Sequence, residues 1–225
     1  MIAFVGATRS RENVRKLRER HVGRILQPED VICTRLYKGE RWALDNGAFA
    51  AWRKGQAVDL HGWAGILWSP LNLRRAPWMA VLPDAPTDWN QTCELAHQAC
   101  ALIPEPAKPW PWFVVLQEGA TPETVEALLR DLPVQVQGLF LGGADPFKKT
   151  ACDWVDFAHH RGLRFHFGRA GTPRKIRAAF EAGADSFDSS FPLWTQARFD
   201  LFLSLQSQGF RSRQEHLPFG AEVSA

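Results

Sequence analysis

Apolar runs of about four or five residues recur along the chain, each ended by a glycine or a polar turn and most followed by a helix start. Ile2–Val5 ends at Gly6, Trp112–Leu116 at Gln117-Glu118-Gly119, Gly138–Leu141 at Gly142-Gly143 and Leu163–Phe167 at Gly168. Such runs between turn signals mark strands buried on both faces. Val31–Thr34, Arg41–Leu44, Pro77–Leu82 and Asp185–Phe187 bring the candidates to eight. Helix starts fall between them. Thr8 or Ser10 caps a helix to about Arg20, Asp59 opens a Trp-rich helix through Trp68, and Thr87 or Asp88 caps one to about Leu102. Thr121-Pro122 and Thr172-Pro173 place proline at the first helical position, Lys149–Arg161 reads as helix, and Gln196–Gln206 is a last apolar helix.

Strands alternating with helices give a parallel sheet with right-handed crossovers. Eight strands within 225 residues predict an α/β chain folded as one compact (β/α)8 barrel over residues 1–210, followed by a polar tail over 211–225. A doubly wound open sheet is the alternative, because the second strand and its connection carry few signals. At 45% hydrophobic and 23% charged the chain can bury a sizeable core, which excludes wholesale disorder. Its four cysteines are scattered without a CxxC pair, so reduced thiols are expected rather than a disulfide framework or zinc cluster. The amino-terminal apolar run is too short for a signal peptide and no run reaches membrane-spanning length, so a cytoplasmic protein with no membrane partner is expected.

The polar residues at the expected carboxyl ends of the strands are Asp45, Asp84, Gln117, Gly142-Gly143, His166 with Arg169, and Asp188. In a barrel these ends share one rim, where catalytic groups gather. Three carboxylates on one rim repel one another unless they do chemistry or bind donors. In GADSFDSSFPLW (Gly183–Trp194), Asp185 lies within the strand step and serves structure, whereas Asp188 reaches the rim. GxSxG, Walker and GxGxxG motifs are absent, and the histidines lack HExxH spacing, so no metal or cofactor is expected. What remains is carboxylate chemistry, with one acid as nucleophile and another as acid/base, in a slot for a planar ligand.

Two further features bear on partners. Arg9, Arg11, Arg15, Lys16, Arg18, Arg20 and Arg24 face only Glu12 and Glu19 in the first helical region, which reads as a solvated face or a phosphate-binding surface. The net charge of +3 permits a nucleic-acid partner without requiring one. Ten tryptophans against one tyrosine supply core and pocket walls, with some free to act as stacking platforms. The glycine-bounded loop Gly168–Gly171 before a helix start is a possible phosphate cradle, which would suit a barrel enzyme acting on a small nucleoside or phosphorylated substrate. A non-catalytic nucleic-acid binder is a third reading.

The strand-end motifs resemble those of the tRNA-guanine transglycosylases. LDNGAF is similar to their D-S-G-G-F/Y segment, Pro83-Asp84 to the base-recognising aspartate, LQEG to V-Q-G and LGGAD to the G-G loop. FHFGRAGTPRKIRAAFEAGADSFDSSFP resembles their L-x-G-x-G-x-P…G-x-D-x-F-D…P block, and order and approximate spacing agree from about residue 40 to 192. The resemblance implies a barrel that exchanges guanine for a 7-deazaguanine by double displacement. Asp188 would attack C1′ and Asp45 would deprotonate the incoming base. Asp84, Gln117, Gly142 and Gly143 would read the base edge, with His166 at the substrate and Phe49 and Phe167 sandwiching the base. The target base would leave its stack to reach the pocket. The family's C-x-C-x-x-C…H zinc block does not follow, and its P-T-R after the nucleophile is replaced by Phe191-Pro192-Leu193-Trp194. The chain therefore looks more like the short DNA-modifying transglycosylases of the DpdA type often carried by phages. DNA is the favoured partner with tRNA as the alternative, the host cytoplasm would be the compartment if phage-encoded, and a homodimer or partner protein is possible. Arg9, Arg11, Arg15, Lys148, Lys149 and Arg169 would be the phosphate contacts.

Overall fold

The computed structural model describes residues 1–8, 10–68 and 75–215, with side chains to residue 206. Eight parallel strands pair in sequence order: β1 (Ile2–Val5), β2 (Gly23–Leu26), β3 (Trp42–Leu44), β4 (Met79–Val81), β5 (Trp112–Leu116), β6 (Val136–Leu141), β7 (Arg164–Phe167) and β8 (Ser186–Ser189). β8 pairs back onto β1, Ile2 opposite Ser186 through Val5 opposite Ser189, so the sheet is a closed barrel and not an open doubly wound sheet. The α-helices among the described residues are α1 (Arg11–Glu19), α2 (Pro28–Cys33), α3 (Ala48–Arg53), α4 (Leu60–Leu67), α5 (Trp89–Leu102), α6 (Pro122–Asp131), α7 (Ala151–His160), α8 (Pro173–Glu181) and α9 (Gln196–Glu215). This is a (β/α)8 barrel. None of these helices is long and apolar enough to cross a membrane.

The caps expected from sequence are made: Ser10, Asp59, Asp88, Thr121 and Thr172 each accept a backbone N–H of the first turn that follows. Strand side chains alternate between two apolar layers. One face packs against the helices, with Leu26, Trp112, Leu116, Phe165 and Phe187 in that layer. The other fills the barrel, where Phe4, Ile25, Ala43, Met79, Val81, Phe113, Val115 and Phe140 form a separate cluster. The large interior rings lie across glycines: a Cβ at Gly23, Gly138 or Gly168 would overlap the ring of Phe4, Phe113 or Phe140 respectively. Large and small residues thus interdigitate across neighbouring strands, which is how a narrow barrel reaches interior packing density.

Two expectations are corrected here. The second strand is Gly23–Leu26, and the Val31–Thr34 run forms the end of α2 and its C-cap, the helix being opened by Pro28 with Glu29 and Asp30 in its first turn. Only Val31 of that helix is buried, while Ile32 is 73% exposed. β2 was hidden by Arg24, which does not belong to the basic surface of the first helix. Its side chain is buried and pairs with buried Glu40, Nη2 lying 2.9 Å from Oε2 and 2.8 Å from the Arg35 carbonyl. Tyr37 N–H also donates to Glu40 at 2.9 Å. Removing one member of a buried pair strands the other charge. Glu40→Ala is therefore expected to lower stability by about 3–5 kcal/mol, read as a fall in the urea midpoint with an unchanged slope.

The polar tail is also revised. α9 continues to Glu215, through the residues expected to leave the domain at 211, and residues 216–225 lie outside the described residues.

Candidate active site

The carboxyl ends of the strands open onto a cleft of about 800 Å³. Asp45, Asp84 and Asp188 all line it, as do Gln117, Gly142, Gly143, Phe49 and Arg169. Each is delivered by a strand end or by the loop or helix start that follows it, so residues far apart in sequence meet because the strands are parallel and closed.

Asp188 ends β8 beside β7. Its Oδ1 accepts from His166 Nε2 at 3.0 Å and from the Arg169 backbone N–H at 2.9 Å. Oδ2 has no hydrogen-bond partner among the described residues, leaving one carboxylate oxygen toward the cleft. Burial alone would raise the acid, but the hydrogen bonds from His166 and Arg169 and the charge of Lys148 hold its carboxyl below the usual range. Burial pushes His166 down, so its ring is neutral at pH 7. A carboxylate only accepts, so Nε2 carries the proton to Asp188 and Nδ1 accepts the Ser186 hydroxyl at 2.8 Å. His166 is wholly buried and does not line the cleft, so it positions Asp188 and is not a substrate contact. Asp185 faces elsewhere, accepting from Phe165 N–H at 2.8 Å and meeting His159 at 3.0 Å, which ties β8 to β7 and α7.

Asp45 has the opposite electrostatics. Burial, with the charges of Asp188 and Asp84 close by, pushes its carboxyl up to about 7 despite hydrogen bonds from Asn46 N–H and Gln27. Asp84 is gripped at both oxygens: Asn46 Nδ2 donates to Oδ1 at 2.7 Å and Gln117 Nε2 to Oδ2 at 2.5 Å. Both amides are oriented by backbone groups. Asn46 Nδ2 also donates to the Leu82 carbonyl at 2.7 Å while its Oδ1 accepts Ala48 N–H at 2.8 Å, and Gln117 Oε1 accepts Thr87 N–H at 3.0 Å. Burial still raises Asp84 to about 6, with the two amides and the charge of Arg169 opposing it.

Positive φ outside glycine occurs at His21, Thr87 and Arg169 among the described residues, and the last two sit in this cleft. Each of the two, with φ of 71° and 55°, presents its N–H to a site residue, to Gln117 and to Asp188. Local strain held at two points of one cleft is the pattern of a preorganised functional site. Gly143 also has φ of 70°, and Glu118 accepts Ala144 N–H at 2.6 Å, which pins the Gly142–Ala144 loop over the cleft.

Phe49 stands at the cleft wall, with the Arg169 guanidinium 3.5 Å from its ring centroid and Trp52 stacked on it at 5.7 Å. Phe167 is not in the cleft. With His166 turned into the barrel, the period of two turns Phe167 outward, where it is 1% exposed in the layer under the helices. The aromatic that does line the floor is Phe140, stacked on His166 at 4.5 Å.

The expected phosphate contacts separate. Lys148 is buried, its ammonium donating to the Gly168 carbonyl and lying 5.2 Å from the Phe167 ring, and burial lowers it to about 7 while Asp188 opposes that fall. It is an internal cation behind the nucleophile candidate, not a surface contact. Arg15 pairs with Glu19 at 2.7 Å and lines a second cleft with Val22 and Arg41 at the amino ends of β2 and β3, on the face opposite the rim. Arg11 and Lys149 are exposed and outside the cleft, and Arg9 lies outside the described residues. Only Arg169 of this set lines the cleft itself.

The Gly168–Gly171 loop is no phosphate cradle. Gly168 N–H donates to the Leu141 carbonyl, Arg169 N–H to Asp188 Oδ1, Ala170 N–H to the Asp188 carbonyl and Gly171 N–H to the Arg169 carbonyl, at 3.2, 2.9, 2.8 and 2.8 Å. All four donors are already engaged, two of them on Asp188 of β8, one on β6 and one within the loop itself. No group of three or more His, Cys, Asp or Glu among the described residues is arranged to hold a metal ion. No family model matches the sequence, and no curated protein matches it. The functional reading therefore rests on the geometry of this cleft.

Proposed function

We propose that the protein is a base-exchanging glycosyltransferase that replaces guanine in a nucleic acid, DNA in preference to tRNA, with a 7-deazaguanine such as preQ0 or preQ1. The observation that supports it is the division of labour among the rim carboxylates. Asp188 is ionised with one oxygen unpartnered, Asp45 exchanges a proton near neutrality, and Asp84 is clamped by two amides. Groups whose environments drive their titrations apart take different roles in one reaction.

In the first step Asp188 Oδ2 forms a bond to C1′ as the C1′–N9 bond breaks, and the electron pair leaves with guanine, whose N9 takes up a proton from solvent water. The product is a glycosyl ester of Asp188. In the second step ionised Asp45 takes the N9 proton of the incoming deazaguanine, N9 bonds to C1′, and the ester C–O bond breaks to restore the Asp188 carboxylate. His166, neutral and donating to Oδ1, holds the nucleophile in place through both steps. Asp84 and Gln117 face the polar edge of the base. A base stacking on Phe49 takes the place of the Arg169 guanidinium, and Phe140 with Val115 forms the apolar floor.

The test is release of labelled guanine from DNA or from tRNA in the presence of preQ0 or preQ1. The expected result is loss of label from DNA faster than from tRNA, dependent on the added base. Retention of label by both polymers contradicts the proposal, and faster loss from tRNA reverses the choice of polymer.

A further inference from the structure

Most tryptophans of this chain behave as large core residues. Trp42, Trp63 and Trp112 are 1% exposed or less and Trp89, Trp110 and Trp154 no more than 6%. Two that line the cleft do not. Trp52 on α3 is 49% exposed and Trp194, just beyond β8, is 66% exposed. An indole left half in water at the mouth of a cleft keeps a flat apolar face uncovered.

Both indoles belong to aromatic–cation assemblies. Arg198 lies 4.6 Å from the Trp194 ring and 5.4 Å from Phe191. Trp52 stacks on Phe49, which carries the Arg169 guanidinium, and exposed Arg53 and Lys54 follow it in sequence. Trp194 thus has a guanidinium against its ring, and Trp52 stacks on a phenylalanine that carries one. A flat apolar face with an adjacent cation fits a nucleotide of a strand, base on the ring and phosphate at the cation. A free base or nucleoside, enclosed near Asp84 and Asp188, has no second base to lay on either ring.

We infer that Trp52 and Trp194 are stacking platforms for the nucleotides flanking an extruded target nucleotide, so the cleft takes a polynucleotide that is single-stranded or locally opened. The inference rests on the base-exchange reading and adds to it the physical form of the substrate. Extrusion unpairs and unstacks the target's neighbours as well as the target, and platforms at the rim compensate for that loss. The sequence of the flanking bases matters little, because every base has a π face.

The experiment measures binding of a labelled single-stranded oligonucleotide carrying one guanine to Asp188→Asn protein, in which no exchange occurs. Trp52→Ala and Trp194→Ala, each added to that background, are expected to weaken binding about tenfold, with Trp→Phe at either position restoring most of it. Oligonucleotides with an abasic residue on one side of the guanine should lose the same factor on the parent and little further on the matching alanine variant. The salt dependence should be unchanged, since no phosphate contact is removed. Two outcomes overturn the inference. One is alanine variants that bind as tightly as the parent. The other is flanking abasic sites without effect. If the substitutions change the oligomeric state in sedimentation while leaving oligonucleotide affinity intact, the indoles cover a second copy and the inference also fails. Tryptophan-dependent binding by a wild-type protein that releases no guanine would instead contradict the exchange reading and leave the platforms standing.

Discussion

Asp188→Asn is expected to abolish guanine release while leaving the fold intact. The amide keeps a carbonyl oxygen for the His166 Nε2–H and Arg169 N–H donors that hold Oδ1 at 3.0 and 2.9 Å, so the rim geometry has no reason to change. What is lost is the second oxygen, the atom assigned to bond C1′. Loss of a covalent nucleophile typically costs at least about four orders of magnitude in rate. The measurement is labelled guanine released per minute, alongside the thermal midpoint. A variant that exchanges within tenfold of wild type excludes Asp188 as nucleophile, whatever its stability. His166→Ala should have a smaller effect on rate, because His166 positions the carboxylate without touching substrate.

Asp45→Asn is expected to move stability and activity in opposite directions. The Asp45 carboxyl lies at about 7 instead of 3.8, because burial and the neighbouring charges of Asp188 and Asp84 disfavour its ionised form. Between about pH 4 and pH 7 the folded protein keeps a proton on Asp45 that the unfolded chain has released, so stability falls as pH rises through that window. A shift of this size corresponds to a loss of about 4 kcal/mol once both states are ionised. An asparagine carries no charge to desolvate, so the variant should melt several degrees higher than wild type at pH 8 and show a much smaller difference at pH 4. Exchange should fall by about 10²–10⁴, the usual worth of a positioned base. In wild type, kcat/KM should climb with pH through about 7 as Asp45 ionises. A variant no more stable than wild type at pH 8 would mean that Asp45 is ionised without strain in the folded protein. It would then not be held as a proton acceptor near neutrality.

The barrel was legible because seven of its strands are apolar runs closed by turn signals, and local propensity and tertiary burial agree there. β2 was not legible, because its second residue is Arg24 and the partner that makes its burial tolerable, Glu40, lies beyond the next helix. The apolar run Val31–Thr34 drew the assignment instead, although Pro28 and the acids after it are a helix start. At the site, acids at strand ends could be read directly, since parallel strands bring those ends together. Side-chain direction could have been read as well. His166 and Phe167 are adjacent on β7 and cannot both face the barrel, and Phe140 shares the parity of Gly138 on β6 and of Gly142 just beyond it. Asn46 stood in the LDNG turn, but its role as a clamp on Asp84 depends on a residue 38 positions away. Nothing local marks Thr87, whose backbone donor orients Gln117, or Lys148, whose burial beneath the β7–α8 loop follows from the packing of two separate units.

The central claim is a covalent bond between Asp188 and C1′ of the target nucleotide. It is tested most directly by incubating the protein with a guanine-containing oligonucleotide without an acceptor base, quenching in denaturant, and digesting both partners for mass spectrometry. The account predicts a sugar-phosphate adduct on the tryptic peptide from Ala178 to Arg198, mapped to Asp188, absent from Asp188→Asn and discharged when preQ0 or preQ1 is added before the quench. Guanine release without an adduct, or an adduct on another residue of the cleft, contradicts it.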